Sequence, residues 1–200
     1  MSEAAVAAVI VNPFSTRFTR PGRLPPLDAA GRQLDIDTLL RALRTGGGDA
    51  AIVGPHGTGK TTLLLALAGR LAAVGGLAGL IRLHSPGDVP LLLRGLLGAA
   101  HGSTLCVDGW ERLGLWGMAL RMLARWRGCR LVVTSHRAPG LPILVRSEGN
   151  LPVLLALVAR LPDHGGLIDK ADIVAAHRRH GGNLRESLYE LYDRFQCRCR

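Results

Sequence analysis

Two hundred residues, 48% of them hydrophobic, are enough to bury a substantial core, so the chain reads as one domain or a domain with a small appendage. Arg70, Arg82 and Arg94 interrupt every apolar stretch before the ~18 residues that a membrane-spanning helix needs. The net charge of +10 invites a nucleic-acid partner, but the arginines are spread along the chain and form no block of five like charges.

The segment Ala4–Val11 lacks a basic leader and follows Glu3, which argues against a signal peptide and leaves a cytoplasmic location as the expectation. Residues Asn12 to Asp28 hold four of the 11 prolines together with Phe14 and Phe18, and read as an extended surface arm. Asp37 to Leu43 has the pattern of a short helix, stopped by Gly46-Gly47-Gly48. Ala50 to Val53 is a short buried strand, and Thr62 to Ala68 a packed helix. A second strand is expected over Leu77–Leu83, then a helix over Val89–Ala100. The strand Ser103–Asp108 follows, then one helix from about Glu111 to Arg127 and a strand over Leu131–Ser135. Leu141–Val145 reads as a further strand, and helices over Leu151–Leu161, Lys170–Arg179 and Leu184–Phe195 complete the chain. Alternation of apolar strands with helices calls for a parallel α/β sheet with helices on both faces. The expected organisation is an arm over 1–33, an α/β core over 34–148 and a helical lid over 149–200.

Between the strand ending at Val53 and its helix stand Gly54, Pro55, His56, Gly57, Thr58, Gly59, Lys60 and Thr61, followed by Thr62, which spell G-x-x-x-x-G-K-[ST]. A strand feeding a glycine-rich turn and a helix N-terminus surrounds a polyphosphate with backbone N–H groups and the positive end of a helix dipole. Only two of the 25 basic residues are lysines, Lys60 and Lys170, so a lysine at this position is specific. Lys60 is expected at a solvated site, facing the β- and γ-phosphates of a bound nucleotide. The Thr61 hydroxyl is expected to ligate Mg²⁺.

Asp108 ends a buried strand some fifty residues later, where the acid that organises Mg²⁺ belongs in a nucleotide-hydrolysing site of this kind. A helix N-cap fits the same position. Two roles fit Glu111: reaching back across one turn to polarise water, or serving as a first-turn helix acid. Thr134, Ser135 and His136 form the polar tip of a strand expected between those of Val53 and Asp108. There a side chain would meet the γ-phosphate or the lytic water. Cys106 and Cys129 read as core thiols, and Cys197-Arg198-Cys199-Arg200 as a frayed terminus without enough ligands for a metal.

Gly54–Thr61 resembles a Walker A motif, Leu105–Asp108 a Walker B motif, Leu131–Ser135 a sensor 1 strand, and Gly181–Glu186 the sensor 2 start of a lid helix. The combination, over about residues 34–195, is similar to AAA+ and STAND-type P-loop ATPases, including the small AAA-like ATPases of bacteria. The resemblance implies the three-layer P-loop NTPase fold with a helical lid, ATP and Mg²⁺ as ligands, Arg185 near the γ-phosphate, and the Pro13-Phe14 arm beside adenine. Two departures stand out. Gly109 replaces the glutamate usual after the strand aspartate, and the five residues from His136 to Gly140 are too short for the helix that often carries an arginine finger, although Arg137 is available.

The leading expectation is an ATPase acting as a nucleotide-dependent switch or weak motor on a partner protein or nucleic acid. A small-molecule kinase and a non-hydrolysing ATP-binding module are the alternatives. The absence of an N/T-K-x-D-like guanine reader favours ATP over GTP.

Overall fold

The computed structural model describes residues 11–199. The apolar segment expected to bear on secretion therefore lies, except for Val11, outside the described residues. Strands β1 (Ala50–Val53), β2 (Leu77–Arg82), β3 (Thr104–Asp108), β4 (Arg130–Ser135) and β5 (Ile143–Arg146) form one parallel sheet in the order β2-β3-β4-β1-β5. The central strands β1, β3 and β4 are apolar on both faces, as a sheet covered on two sides demands. Helices α2 (Ile36–Thr45) and α3 (Lys60–Ala73) cover one face, where Leu40, Leu64 and Leu67 pack on Ile52, Cys106 and Val132. On the other face α4 (Val89–Gly98) and α5 (Trp116–Trp126) set Leu92, Leu96 and Leu120 against Val107, Leu131 and Val133.

A third apolar cluster lies apart from the sheet. It joins α6 (Leu151–Val158), α7 (Lys170–Arg179) and α8 (Leu184–Arg198). Phe14 is only 1% exposed and belongs to this cluster, with Phe195 and His164 beside its ring. The Asn12 amide donates to the Tyr192 carbonyl at 3.0 Å and fixes the same segment to α8. The N-terminal segment is thus no loose surface arm. Its α1 (Thr16–Thr19) is a single turn, and its start is an anchor in the helical cluster.

Two further expectations are corrected. The single helix over Glu111–Arg127 is broken into a 3₁₀ turn, Trp110–Leu113, and α5, because Gly114 at φ 52° and ψ −126° leaves the helical region. The C-terminus does not fray at the cysteines. α8 continues through Cys197 to Arg198, whose guanidinium is held by Asp172 and the Leu167 carbonyl. Cys106 is fully buried, and burial alone pushes its thiol up to about 12.

Asp172 is the polar pin of the helical cluster. Its side chain is 7% exposed, closes a capping box with Asp169 at the start of α7, and accepts from Arg194 at 2.6 Å and from Arg198. The two guanidiniums hold its carboxyl well below the ordinary value of 3.8, with the Arg198 hydrogen bond the largest influence and burial opposing it. A depressed acid stabilises the fold above its unfolded value, and that stability is lost as pH falls towards the folded one. Asp172→Asn should therefore destabilise the protein at neutral pH. The effect should be smaller than the roughly 3–5 kcal/mol of a fully buried pair, since both arginines reach solvent. Urea titrations should show the gap between wild type and variant closing by about 1.4 kcal/mol per pH unit below about pH 3.8. A gap that does not change with pH would contradict this account.

Candidate nucleotide site

The loop from Gly54 to Gly59 lies at the carboxyl end of the sheet, between β1 and α3. Its first amide, of Gly54, donates to the Ser135 carbonyl at 3.2 Å and ties it to β4. The loop then turns through Gly57 at φ 72° and Gly59 at φ 96° into α3. At Gly57 a side chain is excluded twice, by that backbone angle and by the Asn183 side-chain oxygen, into which a Cβ would run. The contact carries information about the site, since Asn183 caps α8 and so seats the start of that helix on the loop.

Lys60 is not at a solvated position. It is 9% exposed, and its ammonium donates to the carbonyls of Gly54 at 2.7 Å and Pro55 at 2.5 Å. Burial lowers its pKa, Glu111 and Asp108 oppose that, and Arg185 adds to it. The correction has a simple cause: the loop curls over its own lysine and supplies acceptors that water otherwise provides. The ammonium remains beside a cleft of about 430 Å³ lined by Thr61, Asp108, Glu111, Thr134, His136 and Arg185, among others.

Asp108 gathers three elements. Its carboxylate accepts from the Thr61 hydroxyl at 3.1 and 3.2 Å, from the Thr134 hydroxyl at 2.6 Å, and from Arg82 Nε at 3.2 Å. The 3₁₀ turn after it starts at Gly109 with no side-chain cap, so capping is not what Asp108 does. A hydroxyl and a carboxylate 3 Å apart at a helix start suit a hard divalent cation such as Mg²⁺, which takes oxygen ligands. Asp108 and Thr61 are the residues that would hold it.

Gly109 stands where a glutamate was looked for. Its φ of 89° strongly disfavours a side chain, and its amide donates to the Thr134 hydroxyl at 2.9 Å. Thr134 thereby bridges Asp108 and the start of the next turn. Glu111 reaches the cleft from that turn and lies 3.0 Å from His136 Nε2. On its other side His136 Nδ1 is 3.3 Å from both the Lys60 ammonium and the Gly54 carbonyl, and its ring lies against that of His56 at a 38° tilt, centroids 3.6 Å apart. Burial lowers the His136 pKa, and Lys60 and His56 add to that, while Glu111 and the Gly54 carbonyl oppose it.

Among the residues singled out from sequence, Gly57, Thr58, Gly59, Lys60, Thr61, Thr62, His56, Asp108, Glu111, Thr134 and Arg185 all line the cleft. Ser135 does not. Its side chain is 2% exposed and points to the opposite face of β4, where its oxygen accepts from the Arg137 amide at 3.4 Å. The Pro13-Phe14 pair is likewise absent from the cleft, because Phe14 is spent on the helical cluster. The apolar wall beside the loop comes instead from Pro25, Pro26, Leu27 and Leu34, with Leu184 and Tyr189 of α8. Placing Pro13-Phe14 there followed from the family resemblance alone, whereas proline density is the local signal for the wall the structure shows. His136 and Arg82 are the partners whose specific contacts the sequence reading missed. Arg82 ends the strand beside β3, so its register against Asp108 is the signal that was available.

The strand order, the loop between β1 and α3, and the helical C-terminal region define the AAA+ type of P-loop fold. A solved structure of Thermotoga maritima RuvB, a lysine-to-arginine mutant, is similar to 77% of this chain with a TM-score of 0.53 and 21% sequence identity. This chain spans 57% of that one. No protein-family model and no curated protein sequence matches the chain. Among the described residues no helix is long and apolar enough to cross a membrane.

The site geometry yields a prediction. Lys60→Ala removes the one ammonium held at the loop, so binding of a fluorescent ATP analogue with Mg²⁺ should weaken by tenfold or more. Unfolding free energy should shift by no more than about 2 kcal/mol, since the loss is a few hydrogen bonds. Undiminished nucleotide affinity would sink the assignment of this cleft.

Proposed function

We propose that this chain binds ATP with Mg²⁺ in the cleft above β1, β3 and β4, and hydrolyses it slowly as a nucleotide-dependent switch. The observation that carries the reading is the contact of Asp108 with Thr61 and Thr134 beside the Lys60 ammonium. The loop amides and Lys60 take the β- and γ-phosphates, and this requires Lys60 to exchange carbonyl acceptors of the loop for phosphate oxygens. Asp108 and Thr61 hold Mg²⁺, which supplies charge neutralisation between the phosphates when bound. Asp108→Asn keeps the size of the side chain and loses its charge, so ATP binding in that variant should become nearly independent of Mg²⁺.

Arg185, exposed at the first turn of α8, extends from the helical region into the same cleft and senses the γ-phosphate. Because Asn183 at the cap of that helix contacts Gly57, the phosphate state of the loop and the position of α8 are mechanically linked. Such a link is what a switch requires, and it favours this reading over a small-molecule kinase. The partner that the switch acts on is a protein or nucleic acid of unassigned identity.

Glu111 is the water-activating base. In the described state it is engaged by His136, so turnover depends on His136 releasing it. Glu111→Gln should retain nucleotide affinity and lower phosphate release by roughly two orders of magnitude, the usual scale of general-base help. A phosphate-release assay that finds wild type and variant equal would leave a non-hydrolysing ATP-binding module as the better description.

A further inference from the structure

We propose that the outer face of α4 and α5 is a docking surface for an anionic membrane, on which the protein lies peripherally. The inward side of α5 is spent on the core through Gly117, Leu120 and Ala124. Its opposite side ought to be polar. Instead Leu115, Met118, Met122 and Trp126 recur at i, i+3, i+7 and i+11, with exposures of 92, 71, 68 and 79%. The stripe runs about 16 Å along the helix axis. The neighbouring α4 repeats the arrangement, burying Leu92 and Leu96 and exposing Leu91 and Leu97. Two adjacent helices on one side of the sheet thus present apolar residues to solvent, which in a soluble protein marks an interaction surface.

Charge decides the occupant. Neither α4 nor α5 contains an aspartate or glutamate, while Arg94 and Arg125 are exposed on them. The acids nearest in sequence are already engaged: Asp88 accepts from the His84 and Ser85 amides, and Glu111 faces His136 inside the cleft. Arg127 adds another cation, its guanidinium donating to the Leu97 carbonyl, whereas Arg121 donates to the Gly140 carbonyl and is paired with Asp49 at 4.0 Å. Tryptophan at both ends of α5, leucine and methionine between, and arginine without acids is the composition of a helix that lies in an anionic lipid interface. None of the stripe residues lines the nucleotide cleft or a second, smaller cleft between Arg17 and Arg160. The surface is separate from the nucleotide cleft, and the inference stands or falls independently of ATP binding.

The test is flotation of the full chain with vesicles of phosphatidylcholine alone and with phosphatidylglycerol added. Association is expected with the anionic vesicles, weakening as salt rises. Trp116 and Trp126 emission should shift to the blue while buried Trp110 stays constant. Met118→Ser with Met122→Ser should lower the vesicle partition tenfold or more. Arg125→Glu should lower it by at least about fivefold, the scale of one basic residue near such a surface. Both variants should keep the wild-type melting profile and ATP affinity, because these side chains are exposed. Failure to float, or flotation unaffected by the double serine variant, overturns the proposal. So does dimerisation of the free protein that the same substitutions abolish, or a polyglutamate peptide bound as tightly as the vesicles, since the face would then be an interface with a second copy or an acidic protein.

Discussion

The carboxylate of Asp108 organises the carboxyl edge of the sheet. Parallel strands end with polar groups converging, and without a common partner these would repel or remain unsatisfied at the half-buried rim. Asp108 receives the Thr61 hydroxyl from α3, the Thr134 hydroxyl from β4 and the Arg82 guanidinium from β2. Three elements besides its own strand are thereby held in register at a single point. The parallel pairing of β3 with β4 places Val107 beside Val133, so the next residues along, Asp108 and Thr134, meet without strain. A charge at this edge costs little because every oxygen has a donor, and it leaves a negative centre 3 Å from the hydroxyl of Thr61.

Close backbone approach then couples the helical region to that edge. Asn183 reaches Gly57, and Gly182 abuts Gly149, each pair touching where a Cβ would not fit. Ser147 donates from the start of the connection to the Thr58 carbonyl at 2.6 Å, and His177 Nε2 lies 2.9 Å from the Gly149 carbonyl. These polar contacts are directional, unlike the apolar cluster behind them, and they tie the loop to the start of α8. Phe14 packs beside Phe195 at the other end of α8 and anchors the N-terminal segment there.

Much of this was legible from the chain. The apolar four-residue run before Gly54 and the leucine-rich run after it specify a strand and a helix, and G-x-x-x-x-G-K-T specifies the turn between them. Asp108 was legible because an acid at the end of an apolar strand has few structural uses. What escaped was tertiary. Nothing local distinguishes Phe14 as a core residue from Phe14 as a nucleotide wall, since both uses favour an aromatic beside proline. Ser135 and Thr134 are equally polar neighbours, and only the side-chain alternation of β4 sends one to the cleft and the other away. The burial of Lys60 depends on carbonyls of its own loop, which carry no side-chain signature. The break at Gly114 was visible as a glycine, but the apolar spacing on both sides of it fits one continuous helix.

Gly109 and Glu111 belong to one structural choice. A glutamate directly after Asp108 would need its backbone outside the left-handed region, yet the chain uses φ 89° there to direct the Gly109 amide at Thr134. That hydrogen bond steadies the donor that Asp108 depends on. Keeping it displaces the acid by two residues, into the 3₁₀ turn, where its carboxylate meets His136 rather than standing free. His136 stands between the acid and the loop ammonium, so one imidazole joins the two. The ammonium and the acid are thus neighbours of one ring, so a shift of either changes the contacts of the other.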